Sequence, residues 1–439
     1  MQIFLTYIQQ INAFLWNYPM LILLLGTHLY FTIRTGFIQK KLPLGIRLSF
    51  TNDEDTDDGI SPYSALATSL AATIGTGNII GISAAISIGG PGAVFWCWIT
   101  GFFGIATCYA ESFLASTYRI KDEEGNYLGG PMYILKNVLH RKYSAILFAL
   151  FTCLASFGIG SSVQGNSICT ALTGHLSLSP HFIGIVIALL AGIIIIGGVK
   201  QIAKVCTYLV PFMSLFYLLG CGYLLIQNFS FVPKAIMVII QSAFSAKSFI
   251  GGIAGTAIHV GIRTGISKGL FTNEAGLGSI PITSAATNCS YPVKQGYISM
   301  TGPFWDTVVI CAITGIVIVS TMLRYPTEFL TLDADRLCFV AFSKLPFAGE
   351  EMLSLSLILF AFATIIGWCY YGECSIRFLV GKRGIAPYQI IYLVSIYLGA
   401  ISSLEIVWEL SDLLNSLMTI PNLLCLFLLR KLIFASNNP

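Results

Sequence analysis

Gly75-Thr76-Gly77-Asn78 interrupts an apolar run from Pro62 to about Ile88 with two glycines and two polar side chains near its centre. In hydrocarbon an unsatisfied amide or carbonyl costs several kcal/mol. A spanning helix is therefore broken only where the freed groups line a protected cavity or hold a ligand. Freed amides can meet a carboxylate, and freed carbonyls a small cation. A break at mid-membrane points to a secondary transporter. The plainer reading is a packing face, because residues 77–81 spell Gly-x-x-x-Gly; Asn78 would be a costly member of one. A dinucleotide fingerprint is excluded, since the third glycine is missing and no strand-to-helix unit fits inside a bilayer.

The rest of the chain agrees with a membrane setting. Apolar residues make up 55% and charged residues 10% of 439, with a mean hydropathy of +0.79, whereas soluble domains carry about 25% charged residues. Apolar runs fall at 5–33, 62–88, 92–117, 144–173, 181–198, 205–227, 249–270, 296–321, 351–380, 386–404 and 408–430, which predicts eleven spans. The first lacks a basic flank and a small-residue cleavage site, so it is expected to stay as a mature helix. Placing the N-terminus outside puts nineteen Lys and Arg in inner connections and five in outer ones, which favours N-terminus out and C-terminus in the cytoplasm. The net charge of +4 thus reflects topology and gives no hint of nucleic acid. The twelve cysteines form no Cys-x-x-Cys pair and lie mostly in apolar runs, so disulfides and metal sites are not expected. The acidic stretch 51–58 reads as a solvated cytoplasmic loop, with a regulatory role as the alternative.

Setting the first helix aside leaves ten spans, and halves of five must enter the membrane from opposite faces, as inverted repeats require. The predicted division is an N-terminal helix at 5–33, a first repeat at 62–227 and a second at 249–430, within one transporter domain. The glycines of 249–270 (Gly251, Gly252, Gly255, Gly261, Gly265) would mark a second discontinuous helix.

Several side chains could carry chemistry. Gln164 lies among small residues, where its amide either meets a substrate or bonds a neighbouring helix. Thr364, mid-span, could lend an oxygen to a sodium ion or bond back to its own helix. Trp368 follows one turn later. Glu111, Asp306 and Glu373 are functional candidates by default, yet each is expected near an inner span end, where snorkelling or pairing with Arg119, Arg377 or Lys294 suffices. Asn273-Glu274-Ala-Gly276-Leu-Gly278 reads as a polar cytoplasmic turn. No catalytic constellation emerges, the five histidines being scattered (His28, His140, His175, His181, His259).

At Gly75-Thr-Gly-Asn-Ile79, Gly89-Gly-Pro-Gly-Ala-Val-Phe-Trp96, Gly130-Pro-Met-Tyr133, Val163-Gln164, Leu270-Phe-Thr-Asn-Glu-Ala-Gly-Leu-Gly-Ser279, Gly302-Pro-Phe with Asp306-Thr307, Gly367-Trp368 and Tyr370-Tyr-Gly-Glu373, the chain resembles the alanine or glycine:cation symporters of bacteria and archaea. The resemblance runs along nearly the whole chain. It implies an all-α polytopic protein of eleven transmembrane helices, with a leucine-transporter-type inverted repeat of 5+5 plus one N-terminal helix. It also implies sodium-coupled uptake of a small neutral amino acid across the cytoplasmic membrane, with sodium as coupling ion and no other cofactor. Carried over by position, Thr73 and the Gly75, Thr76, Gly77 and Asn78 backbone would hold the substrate carboxylate, and Gln164 and Trp368 would line the pocket. Thr364 with the carbonyls of Ala72 and Gly75 would make a sodium site. The family often has Gly-Trp-Ser-Tyr where this chain has Gly367-Trp-Cys-Tyr370, and an alanine-rich phrase at Ile280-Pro-Ile-Thr-Ser284; both departures bear on substrate choice. Proton coupling is the alternative reading, and a membrane-embedded enzyme the remotest. Alanine against glycine or serine, and the oligomeric state, stay open.

Overall fold

The computed structural model describes residues 2–51, 59–174, 177–244, 258–329, 336–402 and 405–435. Residues 52–58 of the acidic stretch, His175, and Gly251, Gly252 and Gly255 lie outside them. Nearly all of the described chain is helical, and its one sheet is a hairpin pairing Ile120–Lys121 with Tyr127–Leu128. Among the described residues eight helices are long and apolar enough to cross a bilayer, or nine if the bent pair Pro62–Thr73 and Thr76–Gly89 is one span; Pro180–Ile195 and Phe229–Phe244 are shorter apolar helices. The N-terminal span Leu5–Arg34 is one of the eight, with a turn at residues 16–18 inside it. Gln2–Leu15 and Pro19–Arg34 lie on either side of that turn, because Pro19 lacks the amide that would continue the ladder.

Burial sorts the helices into inner and outer sets. The most apolar window of Gly349–Val380 is 72% buried, against 28% for Lys382–Ile401 and 33% for Gly198–Gln227. The outer helices leave Ile390, Ile391, Val394, Phe212 and Leu215 exposed, as a lipid-facing belt requires.

The first break has a clear local cause. Ser61 caps the helix Pro62–Thr73 by accepting from the Ser64 amide at 3.1 Å, with Pro62 in its first turn. The helix stops at Thr73, Ile74 and Gly75 are extended, and a short turn Thr76–Asn78 precedes the helix Ile80–Gly89; the two arms meet at 62°. Asn78 braces the gap, its Oδ1 accepting from the Gly75 amide at 2.8 Å and its Nδ2 donating to Asp306 Oδ1 at 2.6 Å.

A second interruption lies elsewhere than the sequence suggested. The helix Ile258–Asn273 is continuous, residues 274–279 are not helical, and Ile280–Ala285 resumes. The phrase read as a cytoplasmic turn is this break: residues 272–287 are all buried. Gly276 and Gly278 take φ of +88° and +90°, which glycine tolerates best, and Glu274 sits at +52°. The freed groups find partners, the Ala275 amide at Asn273 Oδ1 (3.0 Å) and the Gly276 carbonyl at Asn422 Nδ2 (2.8 Å).

Two inner helices widen beside these breaks. Ser156–Ser162 and Phe304–Cys311 are π-helical, a distortion that often marks functional sites. The first precedes Gln164, and the second contains Asp306.

Candidate functional site

A cavity of about 130 Å³ lies between the first break and the helix Gly349–Val380. Its lining includes Ala72, Thr73, Gly75, Thr76, Gly77, Gln164, Thr364 and Trp368, so the two breaks and the two flanking inner helices bring these positions together. Asn78 is not among them. It is wholly buried behind the break, where it positions backbone. The Gly75 amide is likewise occupied by Asn78, while Thr76 and Gly77, at the start of a turn whose first amides lack helical partners, line the void.

Each remaining side chain has a defined attitude. Gln164 donates from Nε2 to the Ile159 carbonyl at 3.0 Å, within its own widened helix, while its buried Oε1 has no partner. Thr364 donates to the Phe360 carbonyl at 3.0 Å, the back-bond expected of a membrane threonine. Its Oγ1 also faces the break: a Cβ built on Gly75 would lie 2.8 Å from it, and one on Gly367 would lie 2.7 Å from the Ala72 amide nitrogen. A hydroxyl that donates once still has lone pairs for a cation. Trp368 packs where Gly160 has no side chain, since a Cβ there would come within 2.4 Å of Trp368 Cβ. Among the described residues no three His, Cys, Asp or Glu converge as a metal centre; the oxygens near Thr364 are hydroxyl and carbonyl, which suit a hard cation.

Two charged lining residues escaped the sequence reading. Glu274 accepts from Trp368 Nε1 at 3.1 Å through one oxygen and from Ser279 Oγ at 2.5 Å through the other. Lys268 lines the cavity two turns earlier on the same strand of chain. The sequence reading sets Lys268 in an inner connection and Glu274 in a polar cytoplasmic turn. Their charge inside a buried phrase, next to Asn273 and two glycines, was the available signal.

Two of the three intramembrane acids also need correction. Asp306 is fully buried at the first break, accepting from Asn78 and, at 2.6 Å, from Thr307 Oγ1. Glu111 accepts from Asn422 Nδ2 at 2.5 Å. Neither snorkels, because amide and hydroxyl donors reach them inside the bundle. Glu373 accepts from Gln389 at 3.1 Å and lines a cavity with Arg377 near the expected inner face, closest to what was anticipated.

That face is latched. Arg377 pairs with Asp122, and Lys382 with Glu124 at 2.6 Å, while Arg119 donates to the Thr287 and Cys289 carbonyls. Ile60 bridges to Thr287. Burial alone would raise the Asp122 carboxyl, but hydrogen bonds from Asn126 and the Glu124 amide, with Arg377 nearby, hold it below the usual carboxylate range. Asp122 therefore stays ionised near neutral pH. On the opposite side Gly81, Ala84 and Lys268 are half-buried and Trp408 is exposed, so the cavity opens that way.

A small polar cavity between broken inner helices, closed on one face and open on the other, belongs to a membrane transporter rather than an enzyme. The chain belongs to the sodium:alanine symporter family, whose profile matches residues 1–438. It is 42% identical over 433 residues to the sodium/alanine symporter AgcS of Methanococcus maripaludis, covering 97% of this chain and 95% of that one. It is 36% identical to a probable sodium/glutamine symporter, GlnT, of Bacillus subtilis, covering 97% and 88%. In three dimensions it resembles a Na+-coupled sialic acid symporter solved in a substrate-bound outward-open state, with a TM-score of 0.54, 13% identity and coverage of 92% and 81%. That last likeness concerns fold alone.

Proposed function

We propose that this protein carries alanine or glycine into the cell together with sodium, by alternating access around the cavity. One observation carries the reading: the cavity brings together an unpartnered Gln164 oxygen, the Thr76 and Gly77 backbone, and the Thr364 hydroxyl beside the end of a helix. The oxygen suits an ammonium group, the amides a carboxylate, and the hydroxyl with the Ala72 and Gly75 carbonyls a sodium ion. Size points the same way. A cavity of about 150 Å³ holds a molecule such as benzene, so about 130 Å³ suits a small amino acid better than glutamine, the substrate in the name of the Bacillus relative.

The architecture we infer is a leucine-transporter-type core, with repeats opening at Pro62 and at the run from Phe249, whose described part is the helix Ile258–Asn273. Both first helices are then broken, at 74–79 and 274–279. The N-terminus lies outside. Moving Arg263 and Lys268 to the outer half changes the basic split to seventeen against seven, which keeps its sign. Proton coupling is the second reading, favoured by the buried Glu274 carboxyl in the lining; a Bacillus relative is described as a putative sodium/proton-dependent alanine carrier.

Gln164→Ala tests the pocket. Losing the buried partner of a charged group costs about 1 to 3 kcal/mol, so alanine affinity should fall about tenfold to a hundredfold in equilibrium binding in the presence of sodium. Unchanged affinity would make Gln164 a packing residue.

A further inference from the structure

Lys268, Phe271 and Trp408 have a second void on their far side. This cavity, of about 250 Å³, lies beyond the central one toward its open face, and Asn12, Trp16, Arg263, Glu409 and Asp412 also line it. The N-terminal helix, which adds nothing to the central site, supplies Asn12 and Trp16. They clamp it to the helix Glu405–Leu428: Asn12 Nδ2 donates to Glu409 Oε2 at 2.7 Å, and Trp16 Nε1 to the Asp412 carbonyl at 3.3 Å.

Two cations and two anions face this void. Among the described residues, however, no ion pair within 4.0 Å joins any of the four. Charges that merely solubilise a surface would point into water, and charges that merely brace a fold would meet each other. Here they stand apart around a space walled by indoles, and the buried Asn12 Oδ1 is without a partner.

We propose that this vestibule is an outer capture site for a zwitterionic α-amino acid, its carboxylate toward Arg263 and Lys268 and its ammonium toward Glu409 and Asp412. The balance of signs excludes a preference for a simple anion or cation. The greater volume makes capture less selective than the central cavity, which then sets the choice of side chain. Phe271 and Trp408, shared by both voids, form the partition the substrate must pass. The inference rests on the central cavity being the transport site.

The test is equilibrium binding of radiolabelled alanine to the purified full-length protein in sodium, with uptake kinetics in proteoliposomes. Wild type should bind two alanines per chain, and the Glu409→Gln, Asp412→Asn double variant one. Losing hydrogen bonds to charged groups should raise the double variant's half-saturating alanine concentration about tenfold, with the maximal rate unchanged. Arg263 is exposed, so Arg263→Gln guards against misfolding and should move the same parameter in the same direction. One alanine per chain in wild type, with unaltered uptake in both variants, would overturn the vestibule. A wild type that takes up no alanine would overturn instead the transport reading beneath it.

Discussion

Thr364→Val is expected to raise the sodium concentration needed for half-maximal alanine uptake by about tenfold to a hundredfold, while expression and folding persist. Valine keeps the shape and removes one oxygen. That oxygen faces Gly75 and the end of the helix Pro62–Thr73, where carbonyls without helical partners collect. A lost polar partner at a buried ion costs about 1 to 3 kcal/mol, and about 1.4 kcal/mol is tenfold. The back-bond to Phe360 is also lost, but that carbonyl keeps its place in the helix, so stability should change little. Titrating sodium in an uptake assay reads the effect. If the sodium dependence is that of wild type, the hydroxyl serves only its own helix and the cation binds elsewhere.

Trp368→Phe should widen selectivity, admitting branched neutral amino acids that wild type excludes. The indole occupies the gap left by Gly160 and lines the cavity, so a smaller ring releases volume on the side where a substrate side chain would lie. The exchange has a second consequence. Glu274 loses its indole donor and keeps only Ser279, which should weaken alanine binding by about 1 to 3 kcal/mol, the cost of an unpaired buried polar group. Broader choice and poorer affinity are thus expected together. Competition of labelled alanine uptake by unlabelled valine and leucine measures both, and an unaltered profile would show that Trp368 does not bound the substrate.

How much of this was legible in the sequence differs between the two breaks. The first was visible because Asn78 and two glycines interrupt an otherwise apolar run, and in hydrocarbon such an interruption needs a reason. The second was hidden because Asn273, Glu274 and two glycines follow an apolar run, so local composition describes a turn. What keeps them buried is tertiary: Trp368 from ninety-four positions away on Glu274, and Asn422 on the Gly276 carbonyl. The displacement of Asp306 has the same origin. It looked like a residue near a span end, yet it lies in a π-helical turn facing Asn78, and pairing across 228 positions leaves no trace in periodicity. Gln164 was ambiguous for a related reason. Its amide does both things the residue type allows, bonding its own helix through nitrogen and leaving oxygen to the cavity.

Uptake of radiolabelled alanine into proteoliposomes of the purified protein, under an imposed inward sodium gradient or an imposed inward proton gradient, tests the central claim most directly. The account predicts accumulation with sodium at equal pH on both sides and none with protons in the absence of sodium. Accumulation driven by protons alone would contradict it and shift the coupling to a buried carboxyl such as Glu274.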